Sequence, residues 1–148
     1  MHEQFKSRNP AHVERVQEMF AGARFVRQLG IELLESGPGW CESRLPVRDW
    51  HAQQNGFVHA GATATLADHT AGASALSLVA PDEMVLSVEF KINLLRPATG
   101  DSLYCRGQVI RNGRKLIVSE SEVYAVREET KKLVAKATVT LAVLDASE

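Results

Sequence analysis

The segment that most constrains the fold of this chain runs from residue 58 to residue 80, where nearly every residue is small or apolar. Alanine and glycine recur along it, and it lacks the charged face that a helix on a protein surface would show. We therefore expect a long buried helix, whose small side chains suit close approach to a sheet. Asp68 is the only carboxylate in this segment. A buried carboxylate is costly unless it is paired or used, which makes Asp68 the first candidate for a functional residue.

A polar loop precedes this helix, and the spacing between the loop and Asp68 has a geometric consequence. The loop covers residues 53–56 (QQNG) and leads to His59 near the start of the helix. Asp68 follows His59 by nine positions, which is roughly 13 Å and about half a turn along a helix. The two residues cannot meet within one chain, so a common site requires two subunits related by a two-fold axis. The alternative is that His59 caps the helix and Asp68 only bonds a backbone group.

The flanking segments carry helix and strand signals. Residues 11–28 have apolar residues at three- and four-residue intervals, which predicts one amphipathic helix. Residues 29–47 are typical of two short strands that flank a turn. Residues 86–94 alternate strictly between apolar and polar side chains, and Asn112-Gly113 is a strong hairpin signal in the strands that follow.

This order of elements predicts the fold class and the domain organisation. We expect an α+β fold, with a mostly antiparallel sheet of about six strands and the long helix packed on one face. The length fits a single domain over residues 1–148, in which residues 1–28 form an N-terminal helical extension. Such an open sheet leaves an edge that can pair with a second copy, so a homo-oligomer is expected.

Composition excludes several classes of function. The formal net charge is −1 and no strong basic patch is present, so nucleic acid is not expected as a partner. The segment 58–80 is too polar for a lipid-facing span, so no membrane is expected as a partner. No known metal-ligand spacing occurs, and the site is predicted to hold no metal. A metal bound by His51, His59 and Asp68 is the alternative.

Cysteine usage and the N-terminus indicate the compartment. Cys41 and Cys105 have no paired spacing, which is typical of a reducing environment. Residues 1–5 (MHEQF) lack the basic and apolar regions of a signal peptide. We therefore expect a cytoplasmic protein.

Four groups of residues give the chain a family resemblance. Residues 59–61 (HAG) and 66–68 (LAD) are similar to the His-Gly-Gly…Leu-Xaa-Asp pattern of the hotdog-fold acyl-CoA thioesterases, at the same spacing. Residues 87–90 (SVEF) and 95–98 (LRPA) fit the third strand of that family and its exit. Over residues 25–145 the chain most resembles the subfamily related to phenylacetate degradation. The resemblance implies a hotdog fold, in which the sheet wraps around the long central helix.

The resemblance also implies which residues act on the thioester. Asp68 is expected to be the general base or the nucleophile. Ser87, at the start of the third strand, is expected to orient the attacking water. A solvent-facing Ser87 is the alternative, because strict alternation puts it on the polar side of its strand.

The thioester oxygen is expected at the start of the long helix, where free N–H groups and the helix dipole suit negative charge. The resemblance implies that the backbone N–H of Ala60, between His59 and Gly61, holds this oxygen together with the side-chain amide of Gln53. The family has glycine at the position of Ala60 and usually asparagine at that of Gln53. Because glutamine is one carbon longer, a neighbouring amide of the loop is an alternative donor. The remaining residues of the expected substrate-binding loop are Gln54, Asn55 and Gly56.

For the phosphates of CoA, the candidates surround the Asn112-Gly113 turn. They are Arg111, Arg114 and Lys115, with Arg96 as a further candidate, because basic residues at a loop can hold phosphate groups. Charges that are merely solvated beside a turn are the alternative. CoA is part of the substrate, and no other cofactor is expected.

The expected function is therefore an acyl-CoA thioesterase that releases a free acid and CoA from a site shared across a homodimer or homotetramer. No Gly-Xaa-Ser-Xaa-Gly elbow is present, which argues against a serine hydrolase. Two alternatives stay open. A non-catalytic acyl-CoA-binding protein of the same fold is suggested by the departures at Gln53 and Ala60. A hotdog dehydratase or hydratase would use His51 or His59 as its catalytic histidine.

Overall fold

The structure, a computed structural model, describes residues 5–147. Residues 1–4, which supplied most of the segment judged not to be a signal peptide, lie outside the described residues, as does residue 148. No helix within residues 5–147 has both the length and the apolar character needed to cross a membrane. The elements follow in the order α1 (His12–Gly22), α2 (Arg24–Leu29), β1 (Glu32–Gly37), β2 (Trp40–Pro46), a 3-10 turn (Asp49–His51), α3 (Ala60–Leu76), β3 (Glu83–Leu94), β4 (Ser102–Asn112), β5 (Leu116–Arg127) and β6 (Thr130–Asp145).

The strands form one six-stranded sheet in the spatial order β1-β2-β4-β5-β6-β3. Every neighbouring pair is antiparallel. β3 therefore lies at an edge, paired only with β6, although β4 follows it in the sequence. α3 lies across one face and contacts strands β2 to β6. The expected α+β architecture, with about six strands and one long helix, is confirmed.

The small residues of α3 bring its backbone unusually close to the sheet. A Cβ atom at Gly107 of β4 would lie 2.7 Å from the Thr70 carbonyl oxygen, so only glycine fits there. The hydroxyl groups of Ser43 and Thr70 are 2.6 Å apart, and Ser121 Oγ donates to the Ala67 carbonyl at 2.7 Å. The polar atoms that this approach buries are therefore paired, as an interior requires.

Two helices occupy the N-terminal segment in which one helix was predicted over residues 11–28. α1 ends at Gly22, and Ala23 takes an extended conformation with φ −80° and ψ 92° before α2 begins. Glycine has a low helix propensity, and the change of direction allows both Phe20 and Val26 to be buried. α2 then ends at Leu29, and the C-cap residue Gly30 takes the left-handed φ of 91° common at helix C-termini.

The central helix is also shorter than the segment 58–80 from which it was predicted. It ends at Leu76, well before Pro81, and the Ser77 hydroxyl donates to the Ser74 carbonyl at 2.7 Å. Leu78 and Val79 are buried although they are not helical. The small apolar composition of this segment therefore indicates burial more reliably than it indicates helix length.

The hairpin predicted at Asn112-Gly113 is present, but its turn is longer than two residues. β4 ends at Asn112 and β5 begins at Leu116, so residues 113–115 connect the strands. Glycine is required because a Cβ at Gly113 would collide with the Leu116 carbonyl oxygen. The glycine is therefore needed for space and not for a left-handed backbone.

Candidate active site

The N-terminus of α3 is capped by its own histidine. His59 is the N-cap residue, and its Nδ1 atom accepts a hydrogen bond from the Gly61 N–H at 2.8 Å. Because Nδ1 accepts, the neutral ring carries its proton on Nε2. The Ala60 N–H has no hydrogen-bond acceptor within residues 5–147. The Gly61 N–H is therefore used by the cap, whereas the Ala60 N–H, the backbone donor expected here, is free.

The loop before this helix is closed by hydrogen bonds that fix the Gln53 side chain. Gln53 Oε1 accepts from the N–H groups of Asn55 and Phe57, and the Gln53 N–H donates to the Phe57 carbonyl at 2.8 Å. The left-handed Gly56, with φ of 86°, allows the tight turn. The amide oxygen of Gln53 is thus used within the loop, and its NH₂ group has no acceptor within the described chain. The NH₂ group of this amide is therefore available to donate a hydrogen bond to a ligand.

A cavity of about 510 Å³ lies at this end of α3, and we call it the first cavity. Gln53, His59 and Ala60 line its polar side. Its apolar side is formed by Phe57, Val58, Leu94, Leu95, Ala98 and Val134. A few convergent donors in a mostly apolar concavity are typical of a small-molecule site.

Asp68 lies in the middle of α3 and faces the edge strand β3. Ser87 Oγ donates a hydrogen bond to Asp68 Oδ1 at 2.6 Å. Asp68 is half-buried in the single chain, so the full burial expected from its neighbours is not found. The reason is the position of β3 at the edge of the sheet, which leaves this side of α3 partly open. The carboxylate is accessible and paired with a hydroxyl donor.

A β-bulge in β3 gives Ser87 its orientation. Ser87 pairs with Leu141 and Glu89 pairs with Thr140, so Val88 is an extra residue between them. Paired residues in an antiparallel sheet share a face, and Leu141 is buried beneath α3. Strict alternation would have put Ser87 on the outer face with Glu89. Because the bulge inserts one residue, the alternation of side chains between the two faces shifts by one position. Ser87 therefore lies on the inner face, and Glu89 stays on the outer face.

Only one of the three remaining loop residues lies at the first cavity. Gln54 lines the first cavity. Asn55 and Gly56 are exposed and do not line it. Their place in the loop supports Gln53, since the Asn55 N–H donates to the Gln53 amide oxygen.

Of the cations predicted to hold phosphates, Arg96 lines the first cavity, and the other three lie far from it within one chain. Arg111, Arg114 and Lys115 stand at the β4–β5 turn, where the Lys115 carbonyl accepts from the Val143 N–H at 2.9 Å. Val143 is near the end of β6, whereas Val134 of the first cavity is near its beginning. The two groups therefore occupy opposite ends of the sheet, and their proposed role stays a prediction.

His51 has a structural environment. Its Nδ1 atom accepts from the Arg48 N–H at 2.8 Å, and its Nε2 atom donates to the Leu29 carbonyl at 2.7 Å. Both ring nitrogens are thereby used by the backbone, so His51 has neither a lone pair for a metal nor a free base for a dehydratase. Among residues 5–147, no three His, Cys, Asp or Glu side chains gather as metal ligands would.

Ser121 is a positioning residue that the sequence did not single out. It is fully buried on β5, and its hydroxyl donates to the carbonyl of Ala67, the residue before Asp68. It therefore fixes the turn of α3 that carries the carboxylate. The available signal was a pair of serines, Ser119 and Ser121, at inward-facing positions of the strand.

The fold and the site together define a class of protein. A six-stranded antiparallel sheet around a long helix, with a free donor at the helix start and a carboxylate in mid-helix, is the arrangement of a hotdog-fold thioesterase. Residues 55–132 match the thioesterase superfamily. The chain belongs to this family.

Two solved structures and one relative agree with this assignment. A thioesterase family protein from Silicibacter pomeroyi has a TM-score of 0.87 and 36% identity, covering 89% of this chain and 97% of its own. Human acyl-coenzyme A thioesterase 13 is 28% identical over 127 residues, which is 83% of this chain and 87% of the relative. The E. coli PaaI protein, from the phenylacetic acid degradation operon, shares the fold with a TM-score of 0.79 at 21% identity, over 88% of this chain and 91% of its own. The resemblance, the hotdog fold and the enzyme class, a thioester hydrolase, are confirmed.

Proposed function

We propose that this chain is an acyl-CoA thioesterase, which hydrolyses its substrate to a free carboxylic acid and CoA. The observation that carries the proposal is the free Ala60 N–H at the start of α3, which borders the first cavity beside the Gln53 amide. Human acyl-coenzyme A thioesterase 13 supports acyl-CoA as the substrate class, since its name states that activity. CoA belongs to the substrate, and the proposal includes no other cofactor and no metal.

In this proposal the start of α3 forms the oxyanion hole. The thioester carbonyl oxygen accepts hydrogen bonds from the Ala60 N–H and from the Gln53 amide. Negative charge develops on this oxygen in the transition state, where the positive end of the helix dipole stabilises it. Each preorganised donor of this kind contributes about 3 kcal/mol of transition-state stabilisation.

Asp68 supplies the other half of the chemistry. As a general base, its carboxylate takes a proton from a water molecule whose oxygen attacks the carbonyl carbon. As a nucleophile, it attacks that carbon itself and forms an anhydride that water then hydrolyses. In both routes the C–S bond breaks, and CoA leaves as a thiolate that gains a proton. Ser87 holds the carboxylate through its hydrogen bond of 2.6 Å.

The proposed site is shared by two copies of the chain. β3 is an edge strand, and four of its apolar side chains are exposed, those of Leu86, Val88, Phe90 and Leu94. Such an edge favours pairing with another strand. We place a two-fold axis there, so that the start of one β3 lies beside the end of the other. The Asp68–Ser87 pair near the start of β3 then faces the first cavity of the partner, giving two equivalent sites in a homodimer, alone or within a homotetramer.

The compartment and the domain organisation belong to the same proposal. We propose a single domain over residues 1–148, with residues 1–28 as a helical extension, working in the reducing cytoplasm. Cys41 and Cys105 are both free and buried. Burial raises the pKa of Cys105 to about 12, which keeps this thiol protonated and unreactive.

A thiol-release assay tests the proposal. Purified protein is incubated with short, medium, long and aromatic acyl-CoAs, and the Asp68→Asn variant is assayed in parallel. We expect turnover on at least one class, and a decrease of about 10²- to 10⁴-fold in the variant, because it removes the base or nucleophile. The exposed Asp82 provides a matched control, since Asp82→Asn makes the same chemical change in a loop away from the site. Turnover that persists in Asp68→Asn would reject the proposed mechanism.

A non-catalytic acyl-CoA-binding protein is the second candidate. It is favoured by the capping interaction, which uses the Gly61 N–H and leaves Ala60 as the free backbone donor at the helix start. This candidate predicts that acyl-CoA binds without thiol release, even when enzyme is in excess. A single-turnover experiment separates the two, because a slow thioesterase still releases one thiol per site.

A further inference from the structure

A second cavity of about 350 Å³ opens at the β5–β6 hairpin. Arg96, Arg127, Glu128 and Lys132 supply its charged wall, and we call it the basic cavity. The cations outnumber the carboxylate in this wall, so it carries a net positive charge. The catalytic step proposed above uses none of these residues.

The two cavities adjoin each other. Arg96, Pro97 and Val134 line both of them. An extended ligand can therefore pass from the free Ala60 N–H to the basic cavity along one surface. Acyl-CoA has the required form, since its thioester and its phosphate groups lie at opposite ends of the pantetheine arm.

The three cations of the basic cavity lie together, and no ion pair in the described part of the chain neutralises them. Lys132 pairs with Ala125 across the β5–β6 hairpin, and Arg127 follows Ala125 by two positions, so both cations share the face on which Ala125 is buried. Arg96 Nη1 donates to the Leu133 carbonyl at 2.8 Å, which ties its guanidinium to the same hairpin. Within residues 5–147, none of these three cations forms an ion pair with a carboxylate.

We infer that the basic cavity binds the phosphate groups of the CoA nucleotide while the pantetheine arm lies in the first cavity. The inference rests on the proposed function, whose site it extends. Arginine and lysine donate charge-assisted hydrogen bonds to phosphate oxygens, and arginine can do so through two parallel bonds. Of the four cations predicted from the sequence, Arg96 lines both cavities, whereas Arg111, Arg114 and Lys115 line neither. The basic cavity is therefore the better assignment.

Glu128 provides a second and opposite probe of the basic cavity. It lines this cavity as a carboxylate and takes an uncommon left-handed backbone with φ of 53°. Its charge repels a bound phosphate. We expect Glu128→Gln to lower the KM for acyl-CoA by about two- to threefold, since the group is exposed and its charge is partly screened.

The principal experiment compares two substrates with the same acyl group. One is acyl-CoA, and the other is the N-acetylcysteamine thioester, which has no nucleotide. In Arg127→Gln/Lys132→Gln we expect the KM for acyl-CoA to rise by about tenfold or more with kcat retained, whereas kcat/KM for the small thioester stays unchanged. The matched control is Arg24→Gln/Arg27→Gln, which removes two exposed cations from α2. Arg111→Gln/Arg114→Gln tests the competing assignment.

The outcomes separate the inference from the proposed function. An equal loss on both substrates in Arg127→Gln/Lys132→Gln, or a selective loss of acyl-CoA in Arg111→Gln/Arg114→Gln alone, would overturn the inference. If the wild-type protein hydrolyses neither substrate, the proposed function fails, and binding of CoA and pantetheine measured by calorimetry still decides the inference. A rise of about tenfold in the Kd of CoA in Arg127→Gln/Lys132→Gln, with that of pantetheine unchanged, supports it. An unchanged Kd for CoA rejects it.

Discussion

At the scale of single residues, Ser87 gives the sharpest test of how the Asp68 carboxylate is held. Its hydroxyl donates to Asp68 Oδ1 at 2.6 Å, a hydrogen bond to a charged acceptor. Hydrogen bonds of this kind are worth about 1.5–3 kcal/mol, so we expect Ser87→Ala to lower kcat by about 10- to 100-fold. KM should change little, because the proposed role of Ser87 is to hold Asp68 and not to bind the acyl-CoA. Steady-state kinetics on the best acyl-CoA provide the measurement.

The conservative variant separates orientation from packing. Ser87→Thr keeps the hydroxyl group and should restore most of the activity that Ser87→Ala loses. A threonine variant as slow as the alanine variant would show that the strand, and not the hydroxyl, had been disturbed. Wild-type kcat in Ser87→Ala would remove Ser87 from the mechanism.

Some features of single residues could be predicted from the sequence, and others could not. Free N–H groups at the start of α3 could be predicted, because they depend only on how a helix begins, whereas the choice of Ala60 and Gln53 came from the family resemblance. The face of Ser87 could not be predicted, since it depends on a bulge that inserts Val88 relative to β6. The role of Ser121 likewise depends on a contact with a helix carbonyl that lies 54 positions away in the chain.

At the scale of elements, His69 links the packing of α1 on α3 to pH. The His69 ring meets Phe20 edge-on, with ring centroids 4.6 Å apart. Its Nε2 atom is buried and has no hydrogen-bond partner among residues 5–147. Burial lowers the pKa of His69 to about 4, from an ordinary value near 6.5. The folded protein therefore favours the neutral ring, and the unfolded chain binds the proton first.

The resulting prediction concerns stability in acid. The contribution of His69 is fully present above pH 6.5 and is lost as the pH falls from 6.5 towards 4, because the unfolded state takes up the proton in this range. We expect the free energy of unfolding to lose up to about 3 kcal/mol from this group. Urea unfolding at several pH values measures it. In His69→Phe, which cannot titrate, this part of the decrease should disappear. Parallel curves for the two proteins would contradict the prediction.

Whole elements were predicted more reliably than their ends. The composition of residues 58–80 predicted a buried central helix, because a run of small side chains lets a helix lie close against a sheet. The same composition could not place the end of α3 at Leu76, since the buried residues that follow are as small or apolar as those within the helix. The break between α1 and α2 was missed because Val16, Phe20 and Ala23 keep one helical periodicity up to the break, where Ala23 takes an extended backbone.

At the scale of the whole molecule, helix geometry alone led to the proposal of a site made by two chains. The spacing of His59 and Asp68 keeps them roughly 13 Å apart in any straight helix. In the structure, Asp68 does not line the first cavity of its own chain. The neighbours of β3 could not be predicted in the same way. Its pairing with β6 joins strands that are distant in sequence, and it is this pairing that leaves the other side of β3 open.

A mixed dimer tests this proposal directly. Asp68→Asn and Gln53→Ala each damage one half of the proposed site, so each homodimer should lose about 10²-fold or more in turnover. Chains with different affinity tags are expressed together, and the mixed dimer is purified through both tags. One of its two sites then combines both substitutions, while the other contains neither. We expect this dimer to recover about half of the wild-type turnover, because two-fold symmetry makes the sites equivalent.

The recovery distinguishes the two-chain site from every one-chain arrangement. If Asp68 and Gln53 served a complete site within each chain, both sites of the mixed dimer would contain one defect, and its activity would equal the mean of the two homodimers. A mixed dimer of Asp68→Asn with Ser87→Ala is the internal control. These two residues are in contact within one chain, so in the shared-site arrangement each substitution damages a different site and no wild-type site forms. Recovery in the first mixture but not in the second therefore requires that the Gln53 and Asp68 of one site come from different chains.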